Sequence, residues 1–248
     1  TNDFFDITCR SVMLLCLSPD YIAGKMMIVR ALLSGADLLV VTPSSLPLTT
    51  IDEPIDFAAM VPAQVVESLK STMQKSRLSR ITSLIIGGAP LSPGTEVELE
   101  KLPVDMYATY GMTETVSHVA LRRIGDSLSL YCALGGISFS IDERNCLIIH
   151  APHFSVKEFV TNDVVELVDS RNFRWIGRYD HVINTGGIKV FPELIEKKIA
   201  GLFTRRFFVA SCDDLKWGES VALVIEGEAL SCLLYTSQSP RDKRQSRM

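Results

Sequence analysis

Tyr110-Gly-Met-Thr-Glu114 sets an aromatic ring, a glycine, a hydroxyl and a carboxylate within five consecutive positions. A nucleotide needs that assortment: a flat surface for the base, close backbone approach, a donor for phosphate and a hard oxygen for Mg²⁺. Taken alone, the segment reads equally well as a strand running into a polar turn. Four companion segments ask for the same ligand. Gly87-Gly-Ala-Pro90 follows an apolar run at once, so two glycines can admit a purine edge while Pro90 directs the loop. Thr161-Asn-Asp163 ends a β-like run on a carboxylate able to accept both hydroxyls of a ribose. Gly177-Arg-Tyr-Asp180 and Asn184-Thr-Gly-Gly-Ile-Lys189 then supply a guanidinium and a second glycine loop with a lysine. Each could be a solvated loop; four in this order are hard to assign to chance.

The elements that must position these segments follow from the apolar spacing. Val12–Leu17, Asp37–Val41, Leu84–Ile86 and Val104–Thr109 read as buried strands, and 56–60 as a further one. Helix-compatible spacing covers Tyr21–Leu33, the stretch after Val61-Pro62 to Lys70, and Ser92–Leu102 with Pro93 in its first turn. Alternation of this kind implies a parallel sheet with helices on both faces, whose strand-end loops are where small ligands bind. After Gly125 the pieces become short and β-like: Ser127–Tyr131, Gly136–Ile141, Cys146–His150 and Val164–Val168. From His181 a small αβ segment follows, with a helix over Pro192–Leu202 and strands over Phe207–Ser211 and Ser220–Glu226. The expected class is therefore α/β: a parallel-sheet subdomain (about 1–124), a smaller β-rich subdomain (about 125–179), and a small α+β C-terminal domain (180–230).

These signatures resemble those of the adenylate-forming superfamily, which holds acyl-CoA synthetases, luciferases and peptide-synthetase adenylation domains. The likeness runs from about Tyr21 to Glu228 and rests on Gly-Gly-Ala-Pro (87–90), Tyr-Gly-Met-Thr-Glu-Thr (110–115), Thr-Asn-Asp (161–163), Gly-Arg-Tyr-Asp (177–180) and Gly-Gly-Ile-Lys-Val-Phe-Pro-Glu (186–193). It implies that Gly87, Gly88, Ala89 and Pro90 line the adenine and that Tyr110 stacks on it, with Gly111 and Met112 beside it. Thr113 would hold the α-phosphate and Glu114 the Mg²⁺. Asp163 and Arg178 would bind the ribose, and Asp180 would be the hinge of a rotating C-terminal domain. Gly186, Gly187 and Lys189 would lie on a loop that swings in for thioester formation. The reaction implied is ATP-dependent activation of a carboxylic acid to an acyl-adenylate, then transfer to coenzyme A. Within the superfamily, Tyr-Gly-Met-Thr-Glu-Thr-Val-Ser-His (110–118) and Pro19-Asp-Tyr-Ile-Ala-Gly24 are similar to ligases acting on o-succinylbenzoate in menaquinone biosynthesis. Tyr21 would there border the acyl pocket. A non-catalytic adenylate-binding fragment, or an enzyme loading a carrier protein, stand as alternatives. The Gly-rich phosphate loop and the C-terminal catalytic lysine of the superfamily are expected beyond the two ends of these 248 residues.

Bulk properties narrow the partners. Net charge is −4, with no basic stripe and interleaved aromatics of the kind nucleic acid requires. No apolar run reaches the ~18 residues of a membrane helix, and a cytoplasmic protein is expected. Six cysteines without a Cys-x-x-Cys pair read as reduced, buried thiols, and His150 and His153 lack the flanking ligands of a metal site. Ser231–Met248 loses apolar periodicity and reads as a disordered tail, either a basic arm or an artefact of read-through.

Overall fold

Along each central strand, alternate residues enter two different cores, as the two-residue side-chain period of a strand demands. The computed structural model describes residues 1–126, 128–203 and 205–227. Five strands, β1 (Val12–Leu15), β2 (Asp37–Val40), β3 (Ile55–Met60), β4 (Ile81–Ile86) and β5 (Asp105–Gly111), lie side by side in the order β2-β1-β3-β4-β5, every neighbouring pair parallel. Leu14, Ala58, Met60, Leu84 and Ile86 face one core, completed by Val65 of α2 (Pro62–Lys70), Leu78 of α3 (Thr72–Leu78) and Leu99 of α4 (Pro93–Leu99). Met13, Leu15, Phe57, Ala59 and Ile85 face the other, against Met27 and Ala31 of α1 (Ile22–Ser34). The helices thus sit on both faces, as the alternation predicts.

Local chemistry sets the helix ends. Ser92 accepts a hydrogen bond from the Thr95 amide ahead of Pro93, and the Gln64 side chain accepts one from the Val61 amide ahead of Pro62. Gly35 ends α1 in the left-handed region (φ 69°), returning its amide to Ala31.

The sheet does not stop at β5. Strand β6 (His118–Arg123) turns back antiparallel, and β7 (Tyr131–Ala133), β8 (Ser138–Ile141), β9 (Cys146–His150), β10 (Glu158–Asp169) and β11 (Asn172–Arg178) extend it antiparallel to eleven strands, ending β7-β11-β10-β9-β8. The β-rich half has its own core around Phe173, Phe139, Leu147 and Ile149, yet it is hydrogen-bonded to the parallel half. A turn at Tyr179–His181 leads to a second sheet, β13 (Ile188–Val190), β12 (Ile183–Thr185), β15 (Gly218–Ile225) and β14 (Phe207–Asp214) in that order, with α5 (Pro192–Ile199) against β14.

Several boundaries differ from the sequence reading. The helix expected over Pro192–Leu202 ends at Ile199 and passes into a 3₁₀ turn over Ala200–Leu202. The strand expected from Ser127 begins at Tyr131, and Ser127 is outside the described residues. So are the tail 231–248, Cys232 and the last residues of the expected C-terminal domain. Among the described cysteines only Cys16 and Cys146 are buried, whereas Cys9, Cys132 and Cys212 are exposed, so the expectation of uniformly buried thiols is corrected. His150 bonds Ser140 (2.7 Å) and sits 3.2 Å from Glu158, a structural role. No helix among the described residues is long and apolar enough to cross a membrane.

Candidate functional site

In a parallel sheet every strand delivers its C-terminal loop to the same edge. Tyr21 after β1, Val61 after β3, Gly87–Pro90 after β4 and Gly111–Glu114 at the end of β5 therefore share one edge of the molecule. The antiparallel strands bring the remaining groups to the end of β5 by hydrogen bonding across the sheet. The Tyr110 hydroxyl donates to Asp163 Oδ2 at 2.6 Å, and Trp175 Nε1 donates to Asp163 Oδ1 at 3.2 Å. Arg178 Nη1 lies 3.8 Å from Asp163 Oδ1, and its Nη2 donates to Asp180 Oδ2 at 2.9 Å. Tyr110, Asp163, Arg178 and Asp180 are thus one cluster.

Two register irregularities aim these side chains. On the β9 side of β10, Val160 pairs with Ile148 and Val164 with Cys146, so Thr161-Asn162-Asp163 oppose a single residue. A bulge of this kind turns side chains out of the regular alternation. Thr161 pins it by donating to the Leu147 carbonyl (2.8 Å) and accepting from the Asp163 amide (3.1 Å). A second irregularity falls between Tyr110 and Gly111. There a Cβ on Gly111 would lie 2.5 Å from the Ser117 carbonyl oxygen, so only glycine fits.

Beyond Gly111 the chain makes a tight turn, Thr113–Thr115, organised by a residue that motif reading left without a role. Thr115 is buried, accepts from the Met112 amide (3.0 Å) and lies 2.8 Å from the Ser117 carbonyl, its hydroxyl's acceptor. Val116 takes a positive φ of 63° while the Ser117 amide reaches back to the Thr115 carbonyl at 2.6 Å. A β-branched residue in that region is strained. The result leaves Thr113 and Glu114 exposed at the tip, with no hydrogen-bond or ion-pair partner for either side chain among the described residues. A lone, unpaired carboxylate suits a hard divalent cation that keeps most of its water.

The glycines of Gly87-Gly88 have an intramolecular reason that the sequence did not reveal. A Cβ on Gly87 would sit 2.1 Å from Thr109 Oγ1, and Gly88 has φ 89°. Gly186 and Gly187, both at positive φ (57° and 82°), form the two-residue turn of the β12–β13 hairpin, the geometry that favours glycine pairs. Lys189 on that hairpin holds its ammonium 5.6 Å from the centre of the Tyr179 ring.

Electrostatics fit a polar site walled by aromatics. Burial, and then the Asp163 charge, push the Tyr110 phenol pKa well above its ordinary value, so it remains a donor. Its ring packs edge-on against Phe173 at 5.1 Å. Each Asp163 oxygen accepts one bond here and retains a lone pair for a further donor. On the other side of the loop, Arg30 is 5% exposed and has no carboxylate partner among the described residues. Its Nη2 donates to Ser117 Oγ at 3.0 Å and its Nε has no partner in the described structure. Burial lowers its pKa to about 10. Sequence reading passed over Arg30, since an arginine in a helix gives no sign that it faces inward. A concavity of about 460 Å³, lined by Ser79, Arg80, Asp105 and Arg123, lies instead at the N-terminal ends of β4 and β5, away from every motif.

The "AMP-binding enzyme" family model matches residues 2–137, more than half of the chain. The chain belongs to this family. An acyl-CoA synthetase (AMP-forming)/AMP-acid ligase II-like protein from Dyadobacter fermentans is 36% identical, with a TM-score of 0.69 over 93% of this chain and 68% of that one. Among curated relatives, a probable 2-succinylbenzoate–CoA ligase of Mycobacterium tuberculosis is 26% identical over 203 residues, 74% of this chain and 52% of the relative. The chain thus spans about half the length of the curated relatives it matches. The o-succinylbenzoate coenzyme A synthetase of Bacillus subtilis, solved with ATP and magnesium ion, superposes with a TM-score of 0.74 at 16% identity, over 90% of this chain and 53% of that one. At that identity the likeness concerns the fold. The mixed α/β architecture, with its large sheet and small separate one, is that of adenylate-forming enzymes.

Proposed function

We propose that this chain carries the adenylate-binding part of an ATP-dependent acid–CoA ligase, with o-succinylbenzoate as its acid. The observation that supports this reading best is the convergence of Tyr110, Asp163 and Arg178 beside an unpaired Thr113–Glu114 tip. Asp163, and Arg178 with it, meet the ribose hydroxyls; Tyr110 and the Gly87–Pro90 loop border the base; Met112 and Gly111 shape the floor.

In the first half-reaction a carboxylate oxygen of the acid attacks the ATP α-phosphorus. The bond to the bridging oxygen breaks, and pyrophosphate leaves with its electron pair. Thr113 donates to the α-phosphate oxygen, where charge accumulates. Glu114 is the residue suited to hold Mg²⁺, which when bound offsets phosphate charge. In the second half-reaction the coenzyme A thiolate attacks the acyl carbon and AMP departs. Asp180 serves as the hinge that exchanges the two arrangements, and the Gly186-Gly187 turn with Lys189 approaches for thioester formation. The domain limits follow: 1–179 as part of the large domain, 180–230 as part of the small one.

Arg30 favours a substrate with two carboxylates. One is consumed by adenylation, and the second needs a counter-ion in a dry pocket. A buried guanidinium without an anion is costly unless something supplies one. Both Tyr21 and Arg30 belong to the α1 region, which would then form one wall of the acyl pocket.

Calorimetric titration with AMP and with a non-hydrolysable o-succinylbenzoyl-adenylate analogue tests the reading. Saturable binding of both is expected, the analogue at least about tenfold tighter. An analogue with an uncharged acyl group should lose most of that gain. Absence of AMP binding would sink the nucleotide reading. Equal affinity for charged and uncharged analogues would sink the dicarboxylate.

A further inference from the structure

The turn between β8 and β9 carries an arginine that no motif includes, yet it touches three of the groups around the expected hinge. Asp142 holds it ready: its Oδ1 accepts the Arg144 and Cys146 amides (2.8 and 2.9 Å) and its Oδ2 accepts Arg144 Nε (2.8 Å). From there Arg144 Nη1 donates to Asn162 Oδ1 at 3.1 Å and Nη2 to the Thr161 carbonyl at 3.4 Å. Its guanidinium carbon lies 5.1 Å from the centre of the Tyr179 ring, a cation–π contact.

A carboxamide can face its neighbours either way round, and its surroundings decide. Arg144 is purely a donor, so it selects the Asn162 oxygen. The Asn162 nitrogen is thereby turned to a pure acceptor, Asp180, at 3.2 and 3.5 Å from the two carboxylate oxygens. Asp180 in turn accepts Arg178 Nη2, whose other nitrogen faces Asp163. The chain Arg144–Asn162–Asp180–Arg178–Asp163–Tyr110 is continuous: every link is a hydrogen bond except that between Arg178 and Asp163, which is an ion pair at 3.8 Å.

We propose that Arg144 is a positioning residue that holds the Arg178–Asp180 segment where the Arg178 guanidinium reaches Asp163. It acts by fixing the Asn162 amide and by packing on Tyr179. This rests on the reading of Asp163 and Arg178 as the ribose contacts only for its consequence in binding, not for the positioning itself.

Hydrogen–deuterium exchange of the unliganded chain, read by mass spectrometry on peptides covering 178–182 and 146–150, decides it. Arg144→Ala is expected to raise exchange at 178–182 by about tenfold, the factor expected on losing charge-assisted hydrogen bonds, while 146–150 in β9 is unchanged. Arg144→Lys, which keeps a cation for Tyr179 and one donor for Asn162, should recover much of the protection, and Arg144→Met should not. Arg144→Ala combined with Asn162→Ala should add little to either alone. Unchanged exchange at 178–182, an equal rise across 146–150, or a Lys variant no better than Met would each overturn the proposal. Should Arg144→Ala fail to fold, Asn162→Ala breaks the same chain one link further on and must show the same localised rise. AMP titration of the same proteins separates the two ideas: a wild type that ignores AMP removes the nucleotide reading, while the exchange pattern still decides for or against Arg144.

Discussion

Asp163 carries the most demanding role of any single residue here, because it serves two internal donors and, in the proposed function, two external ones. Asp163→Asn keeps an acceptor near Tyr110 while removing the charge that a ribose and Arg178 would feel. Its AMP affinity is expected to fall by about 10- to 100-fold, the 1.5–3 kcal/mol typical of hydrogen bonds to charged groups, as read by calorimetry. Gly87 makes a contrasting case, since its constraint is steric. Gly87→Ala drives a methyl into Thr109 Oγ1 and should cost ~1–3 kcal/mol in urea denaturation. Thr109→Ala in the same chain removes the nearest atom and should restore part of that loss, giving clear non-additivity. A Gly-Gly pair after a strand announces close approach. Whether to a ligand or to the neighbouring strand is invisible until Thr109 stands beside it.

Among the elements, strands and helices are legible in the sequence where the apolar period is long and capped. Ser92-Pro93 begins α4 and Val61-Pro62 begins α2 where punctuation says they should. The short strands β12 and β13 had no such signal, because three residues cannot display a period. Their hairpin exists because Gly186-Gly187 allows positive φ twice and because the Gly186 amide donates to the Trp217 carbonyl at 3.0 Å. Gly187→Val should therefore loosen the hairpin by ~1–2 kcal/mol, seen as faster amide exchange over 183–190, whereas Gly187→Asn should be milder. The bulge at 161–163 was equally hidden. In sequence Thr161-Asn-Asp163 reads as the end of one β run before another over Val164–Val168, and only pairing with β9 shows one continuous strand in which three residues face one.

For the whole molecule, the packing of the N-terminal segment, α1 and β6 around His118 sets a pH dependence. Burial, then the neighbouring Arg30 charge, lowers the His118 pKa to about 3 from an ordinary 6.5. The native state thus holds the ring neutral where the unfolded chain protonates it. Stability from this group is complete above about pH 6.5 and is lost as pH falls, at up to ~1.4 kcal/mol per pH unit. Urea midpoints measured from pH 7 to 5 should decline, and a His118→Asn variant should lack that component of the slope. The residues alone carried the fold class, because turn chemistry and apolar periodicity are local and survive as patterns, while the resemblance of the motifs pointed to the family. It took the tertiary structure to show that the parallel and β-rich halves share one sheet, that Arg30 is buried with no carboxylate partner among the described residues, and that Arg144, outside every motif, reaches the segment around Asp180. Those facts depend on which strands pair and in what register, and pairing between residues far apart in the chain leaves no trace in the residues taken one segment at a time.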